Sequence, residues 1–294
     1  MPNHANRGTR GTQSDTLSHQ DRGFAMLNKV PEITLYFWII KIMATTVGET
    51  AADLLNIKLG FGLTYTSLFM SGLLVVALYF QFRARRYVPK LYWFAVVLIS
   101  VVGTLISDNL ADNMGVPLSV TTISFSFLLF VAFVSWYASE KTLSIHTIFT
   151  TRREAFYWLT ILFTFALGTS GGDLLAEGLK WGYLNSAIIF ATGIAVITIG
   201  YYQFKLNSVF AFWAAYVLTR PLGASIGDLM SQPHKLGGLG LGTVGTSAIF
   251  LATIFALVFY LTRTRIDVIP SVVYQPAVID SQDYSSAPNG DSEG

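Results

Sequence analysis

Apolar stretches about as long as a membrane span alternate along this chain with short polar joints. They fall at roughly 33–55, 61–81, 91–110, 116–137, 155–175, 182–203, 209–230 and 240–262. A helix needs about 20 apolar residues to cross a hydrocarbon layer about 30 Å thick, so the pattern predicts eight transmembrane helices. Polar positions inside the stretches recur in register. Four times a Trp is followed ten residues later by Gly and five after that by Asp: Trp38, Gly48, Asp53; Trp93, Gly103, Asp108; Trp158, Gly168, Asp173; and Trp213, Gly223, Asp228. The spacing predicts four two-helix repeats, about 31–88, 89–150, 151–206 and 207–265, within one eight-helix domain over 31–265. A two-helix unit returns the chain to its starting side, so the repeats are parallel and related by an axis along the membrane normal. The expected fold is an all-α integral membrane protein with a pseudo-fourfold arrangement. Its aspartates meet if the first helix of each unit lines the centre.

Composition agrees with this pattern. The chain is 52% hydrophobic and 12% charged, with a mean hydropathy of +0.52, where soluble domains carry about 25% charge. With no cysteine, disulfides and thiolate metal sites are excluded. A net charge of +2 gives nucleic acid no footing. The polar stretches 1–30 and 266–294 are expected as disordered cytoplasmic tails. Lys29, Arg83, Arg85, Arg86, Lys90, Lys141, Arg152, Arg153, Lys205, Arg263 and Arg265 flank the Trp ends, against Lys58, Lys180 and Lys235 at the Asp ends. That bias predicts cytoplasmic Trp ends and cytoplasmic termini. The tryptophans, flanked by Tyr36, Tyr92, Tyr157 and Phe212, are expected as an interfacial aromatic belt.

The unit, in segments such as KVPEITLYFWIIKIMATTVGETAADLL, resembles a bacterial family of membrane-anchored proteins built from four tandem repeats, each with two transmembrane segments and a Trp. The resemblance covers roughly residues 29 to 265. It implies a multi-pass protein of the bacterial inner (plasma) membrane, and it carries over no activity and no binding residues.

The chemistry therefore rests on the residues. Fifteen residues of helix rise about 22 Å, which places each Asp in the outer hydrocarbon layer. Each also lies near a helix C-terminal end, where the macrodipole disfavours negative charge. Such carboxylates need a proton, a metal ion or a basic side chain, unless each helix simply ends there and the Asp is wet. Asp53, Asp108, Asp173 and Asp228 are the candidate ion site, and the candidate metal ligands. Glu49 is deeper and takes the place held by Thr104, Thr169 and Ala224 in the other units. It is the candidate proton-coupling residue. Asp112 and Glu177 read as solvated loop acids. Thr66, Thr121 and Ser186, eighteen residues after their glycines, add candidate oxygen ligands for a hard cation. Taken singly, each reads first as a packing group between membrane helices. Lys41 is expected to snorkel to the cytoplasmic face. Arg220, seven residues past Trp213, is near mid-membrane and needs a partner: Glu49 or an Asp, or an anionic substrate. Pro221 beside it is expected to interrupt its helix.

The expected function is a secondary transporter or exchanger of a small cation, divalent ions included, coupled to protons, and not an enzyme. The partners are the bilayer, the cation and protons. No cofactor is expected beyond a divalent cation bound as substrate. The alternatives are an anion transporter centred on Arg220 and a membrane scaffold or sensor that transports nothing.

Overall fold

In the computed structural model, which describes residues 28–269, eight helices succeed one another as the hydrophobic pattern requires. They are α1 (Leu35–Asp53), α2 (Leu63–Arg83), α3 (Pro89–Asp108), α4 (Leu118–Glu140), α5 (Thr151–Asp173), α6 (Tyr183–Phe204), α7 (Ser208–Ser231) and α8 (Gly242–Thr264). Seven are long and apolar enough to cross a membrane. The remaining one, α1, carries Lys41, Glu49 and Asp53 within its 19 residues. The chain is a multi-pass membrane protein.

The odd helices form a closed ring, α1 against α3, α3 against α5, α5 against α7 and α7 against α1. Each even helix packs outside the next odd one: α2 on α3, α4 on α5, α6 on α7, and α8 back on α1. This division follows the side chains. The even helices present Leu68, Phe69, Ile123, Phe127, Ile188, Val196, Phe255 and other large apolar residues to the outside, as a lipid-facing surface does. The odd helices carry the small and polar residues that let backbones approach closely. The repeated glycines make the ring. A methyl added to Gly48 would strike Ser100, one on Gly103 would strike Phe165, one on Gly168 would strike Arg220, and one on Gly223 would strike Thr45. Ser100, Phe165, Arg220 and Thr45 occupy the same place in their repeats. One packing contact therefore recurs around the whole ring.

The ring corrects three expectations. Pro221 does not interrupt α7, which stays helical from Ser208 to Ser231; Pro221 is buried against Gly172 of α5 in the ring wall. The tryptophans do not form an interfacial belt: Trp93, Trp158 and Trp213 are buried and Trp38 is partly buried against the same core. Their ring-lining neighbours are Phe37, Tyr92, Tyr157 and Phe212, so Phe37 rather than Tyr36 belongs to that set. Most of the expected tails lie outside the described residues, but 28–30 and 267 are structured. The Lys29 amide donates to the Ile148 carbonyl, and the Glu32 amide donates to the Asp267 carbonyl at 2.8 Å.

Candidate functional site

Each of the first three aspartates ends regular α-helix, yet none ends the rod. Beyond Asp53, Asp108 and Asp173 the chain continues through a wider π turn: Leu54–Lys58, Asn109–Asn113 and Leu174–Gly178. The amides of Leu59, Met114 and Leu179 donate to carbonyls five residues back. Such turns recur at functional sites in helices. The fourth unit has none; α7 runs past Asp228 to Ser231. Regular α-helix thus ends at the aspartate in the first three units, where the rod goes on as a π turn, and runs past it in the fourth.

The ring brings the acids together around its axis. Glu49 is close enough for its charge to act on Asp53, Asp108, Asp173 and Asp228 alike, and each aspartate also lies within Coulombic range of further carboxylates. Asp112 and Glu177 are exposed, as expected of solvated loop acids, and their charges still reach Asp53 and Asp173. Asp228 and Glu49 are buried, while Asp53, Asp108 and Asp173 are partly open. None of the four aspartates forms an ion pair among the described residues.

They do not close on one point, however. No three His, Asp or Glu side chains among the described residues are placed to hold a metal ion. The four-aspartate metal cage is corrected accordingly.

Below the acids a polar layer closes the axis. Glu49, Thr104 and Thr169 hold one position in three repeats and converge on Arg220 of the fourth. One terminal nitrogen of Arg220, with two hydrogens to give, lies 2.9 Å from Glu49 Oε2, 2.7 Å from Thr169 Oγ1 and within hydrogen-bond reach of Thr104 Oγ1. It also reaches the Thr45 carbonyl at 3.4 Å. Arg220 is fully buried and its Nε has no hydrogen-bond partner. Composition marked Glu49 and Arg220; the two threonines were legible only as occupants of the Glu49 column.

One turn further in, Lys41 contradicts its expected snorkelling. Its side chain is buried, with Nζ 4.1 Å from the ring centres of both Phe165 and Tyr216 and no hydrogen-bond partner. Its equivalents Val96, Ile161 and Tyr216 are all buried, so this face of α1 turns to the axis and gives the amine no route to the interface. Cation–π attraction offsets part of the burial cost, by about 2 kcal/mol when desolvated. Phe37, Tyr92, Tyr157 and Phe212 then seal the Trp end, with the Tyr92 and Tyr157 hydroxyls bonded at 2.5 Å.

The candidate hydroxyls of the even helices are placed differently. Thr66, Thr121 and Ser186 are buried and face inward from the outer ring. Thr121 Oγ1 donates to carbonyls of its own chain segment, Pro117 and Leu118. Thr66 Oγ1 and Ser186 Oγ have no partner. No hydrogen bond among the described residues joins these hydroxyls to the aspartates.

A second polar cluster ties the chain together at the Trp end. Lys29 Nζ pairs with Glu154 at 2.7 Å, and Gln81 donates to the other Glu154 oxygen at 3.1 Å. Tyr87 donates to Asp267 at 2.6 Å. Burial pushes the Asp267 carboxyl above the usual carboxylate range and the Tyr87 phenol above its usual value.

Comparison with known proteins agrees with the repeat. The family described as Repeat of Unknown Function (DUF347) matches four times, over residues 36–87, 91–142, 156–206 and 211–267. No curated protein and no solved structure gives a match.

Proposed function

We propose that this chain, which belongs to the DUF347 family of repeats of unknown function, is a proton-coupled carrier of a small cation, moved along the axis of the odd-helix ring. The observation that supports it is the sequence of layers on that axis: an open-ended group of carboxylates, then the Glu49–Arg220 pair, then Lys41 and an aromatic seal. A cation arriving from the Asp end meets Asp53, Asp108, Asp173 and Asp228 and displaces protons from their shared charge. Further passage requires Glu49 to exchange Arg220 for the cation. Arg220 then falls back on Thr104 and Thr169, and closes the path again when the cation leaves. An alternating partner of this kind gates a carrier rather than an open channel.

No three acidic or His side chains among the described residues are placed to hold a metal ion, which favours a cation that keeps some of its own shell over a bare divalent ion in a protein cage. We place the protein in the bacterial inner membrane with both termini in the cytoplasm, on the basic flank of the Trp ends. The Asp end then faces outward.

The test is uptake into vesicles containing the purified protein, driven by a pH gradient and measured for potassium and for small ammonium ions. Wild-type protein is expected to accumulate cation and collapse the gradient. Asn at all four Asp positions is expected to abolish both. Unchanged uptake by that variant refutes the mechanism.

A further inference from the structure

One corner of the ring departs from the symmetry. The first three repeats turn directly from a π turn into the next helix, but the fourth inserts residues 232–241 before α8. There α1, α7, α8 and this loop border an open pocket of about 500 Å³, lined by Asp53, Ser231, His234 and Thr243 among others. Its position is set by the seam between α1 and α8. These antiparallel helices are joined by a Thr50–Ser247 hydroxyl contact at 2.7 Å. Asp53 is one turn further along α1, and Thr243 one turn back along α8, so both lie at the next level toward the acid end. Ser231 closes α7 one turn past Asp228.

The donor and acceptor inventory of this corner is one-sided. Asp53 offers a carboxylate and forms no ion pair among the described residues. Ser231 and Thr243 are each more than nine-tenths buried, and neither hydroxyl has a hydrogen-bond partner. An unpaired buried hydroxyl costs about 1–3 kcal/mol, so each of these two can accept a hydrogen bond from a bound ligand. His234 Nδ1 lies 3.0 Å from the Gly238 carbonyl. A carbonyl only accepts, so Nδ1 carries the hydrogen, and in the Nδ1–H tautomer Nε2 is the acceptor.

We propose that this corner binds a primary ammonium ion as the first station of the transport path. Three N–H groups on one cationic nitrogen match one carboxylate and two hydroxyl oxygens, with His234 Nε2 as a further acceptor. One carboxylate balances one positive charge. A bare divalent ion would find too few anionic ligands here, and the pocket is far roomier than a single water, whose share of volume is about 30 Å³. The space beyond the nitrogen accepts a short carbon chain against Pro233. The role as a first station rests on the carrier reading, whereas binding itself does not.

The experiment is titration calorimetry of the full chain in lipid nanodiscs with ethylammonium, tetramethylammonium, potassium and magnesium chlorides. Ethylammonium is expected to bind, with tetramethylammonium, which has the charge but no N–H, at least about tenfold weaker. Asp53→Asn is expected to weaken ethylammonium about tenfold or more, and Ser231→Ala and Thr243→Val about three- to tenfold each. The two hydroxyl variants retain the site should Asp53→Asn misfold. Absence of ethylammonium binding, equal binding of tetramethylammonium, or unchanged affinity in Thr243→Val and Ser231→Ala overturns the proposal. Binding as expected without any vesicle uptake would instead overturn the carrier reading and leave this site standing.

Discussion

At the scale of single residues, Arg220 decides most. It is fully buried, and its partners come from three other helices. Removing one member of a buried ion pair strands the other, at about 3–5 kcal/mol. Arg220→Gln and Glu49→Gln are each expected to lower the melting temperature of the detergent-solubilised protein sharply. The double variant is expected to recover part of the loss, because no charge is then stranded. Additive losses would mean that the pair is not coupled. The ring glycines make a second prediction. Gly103→Ala sets a methyl against the Phe165 side chain and the Ala166 backbone, and is expected to destabilise by about 1–3 kcal/mol. Gly72→Ala on the outer face of α2 meets nothing within 4 Å and is expected to be neutral. Equal effects of the two in thermal unfolding would remove the glycine contact as the basis of the ring.

At the scale of elements, the spans and their register were legible because hydropathy and a fixed spacing report both directly. The Gly and Asp columns pointed to a common axis, and the glycines do line the contact from each odd helix to the next. What stayed hidden has physical causes. A π turn shifts hydrogen bonds by one residue without any composition of its own, so the rods past Asp53, Asp108 and Asp173 looked like helix ends. Hydropathy gives the depth of Lys41 but not the rotation of α1, and rotation is what turns that amine inward. Trp93 and Trp158 sit at interface depth in the sequence yet pack into the ring. The Lys29–Glu154 clasp joins positions 125 residues apart, and no local signal links them. That clasp is itself testable. Lys29→Met leaves Glu154 buried without its cation and is expected to cost several kcal/mol, read as easier proteolysis at the Trp end. Beside it, the raised Asp267 carboxyl favours the folded state when protonated. Its contribution is full below the unfolded value of about 3.9 and is lost as pH rises through the higher folded value. Asp267→Asn is expected to remove that pH dependence, measured as melting temperature against pH.

At the scale of the whole molecule, four copies of one unit make a symmetric wall, and single departures from the repeat supply everything asymmetric. Glu49 replaces a threonine, Arg220 stands where Thr45, Ser100 and Phe165 stand, Lys41 replaces apolar side chains, and the fourth loop is long. The symmetric part accounts for the fold. The exceptions gather on or beside one axis, open at the acid end and shut at Arg220. The chain contains no cysteine, so single cysteines can be placed along that axis without a background. The most direct measurement is their labelling in sealed vesicles by a membrane-impermeant thiol reagent. Cysteine in place of Asp108 or Asp173 is expected to react from the acid side only. Cysteine in place of Thr104 or Thr169 is expected to stay unreactive from either side while Arg220 is present, and to become reactive from the acid side in the Arg220→Ala background. Unreactive cysteines at 108 and 173, or equal labelling above and below Arg220 in the otherwise wild-type chain, would contradict the gated path.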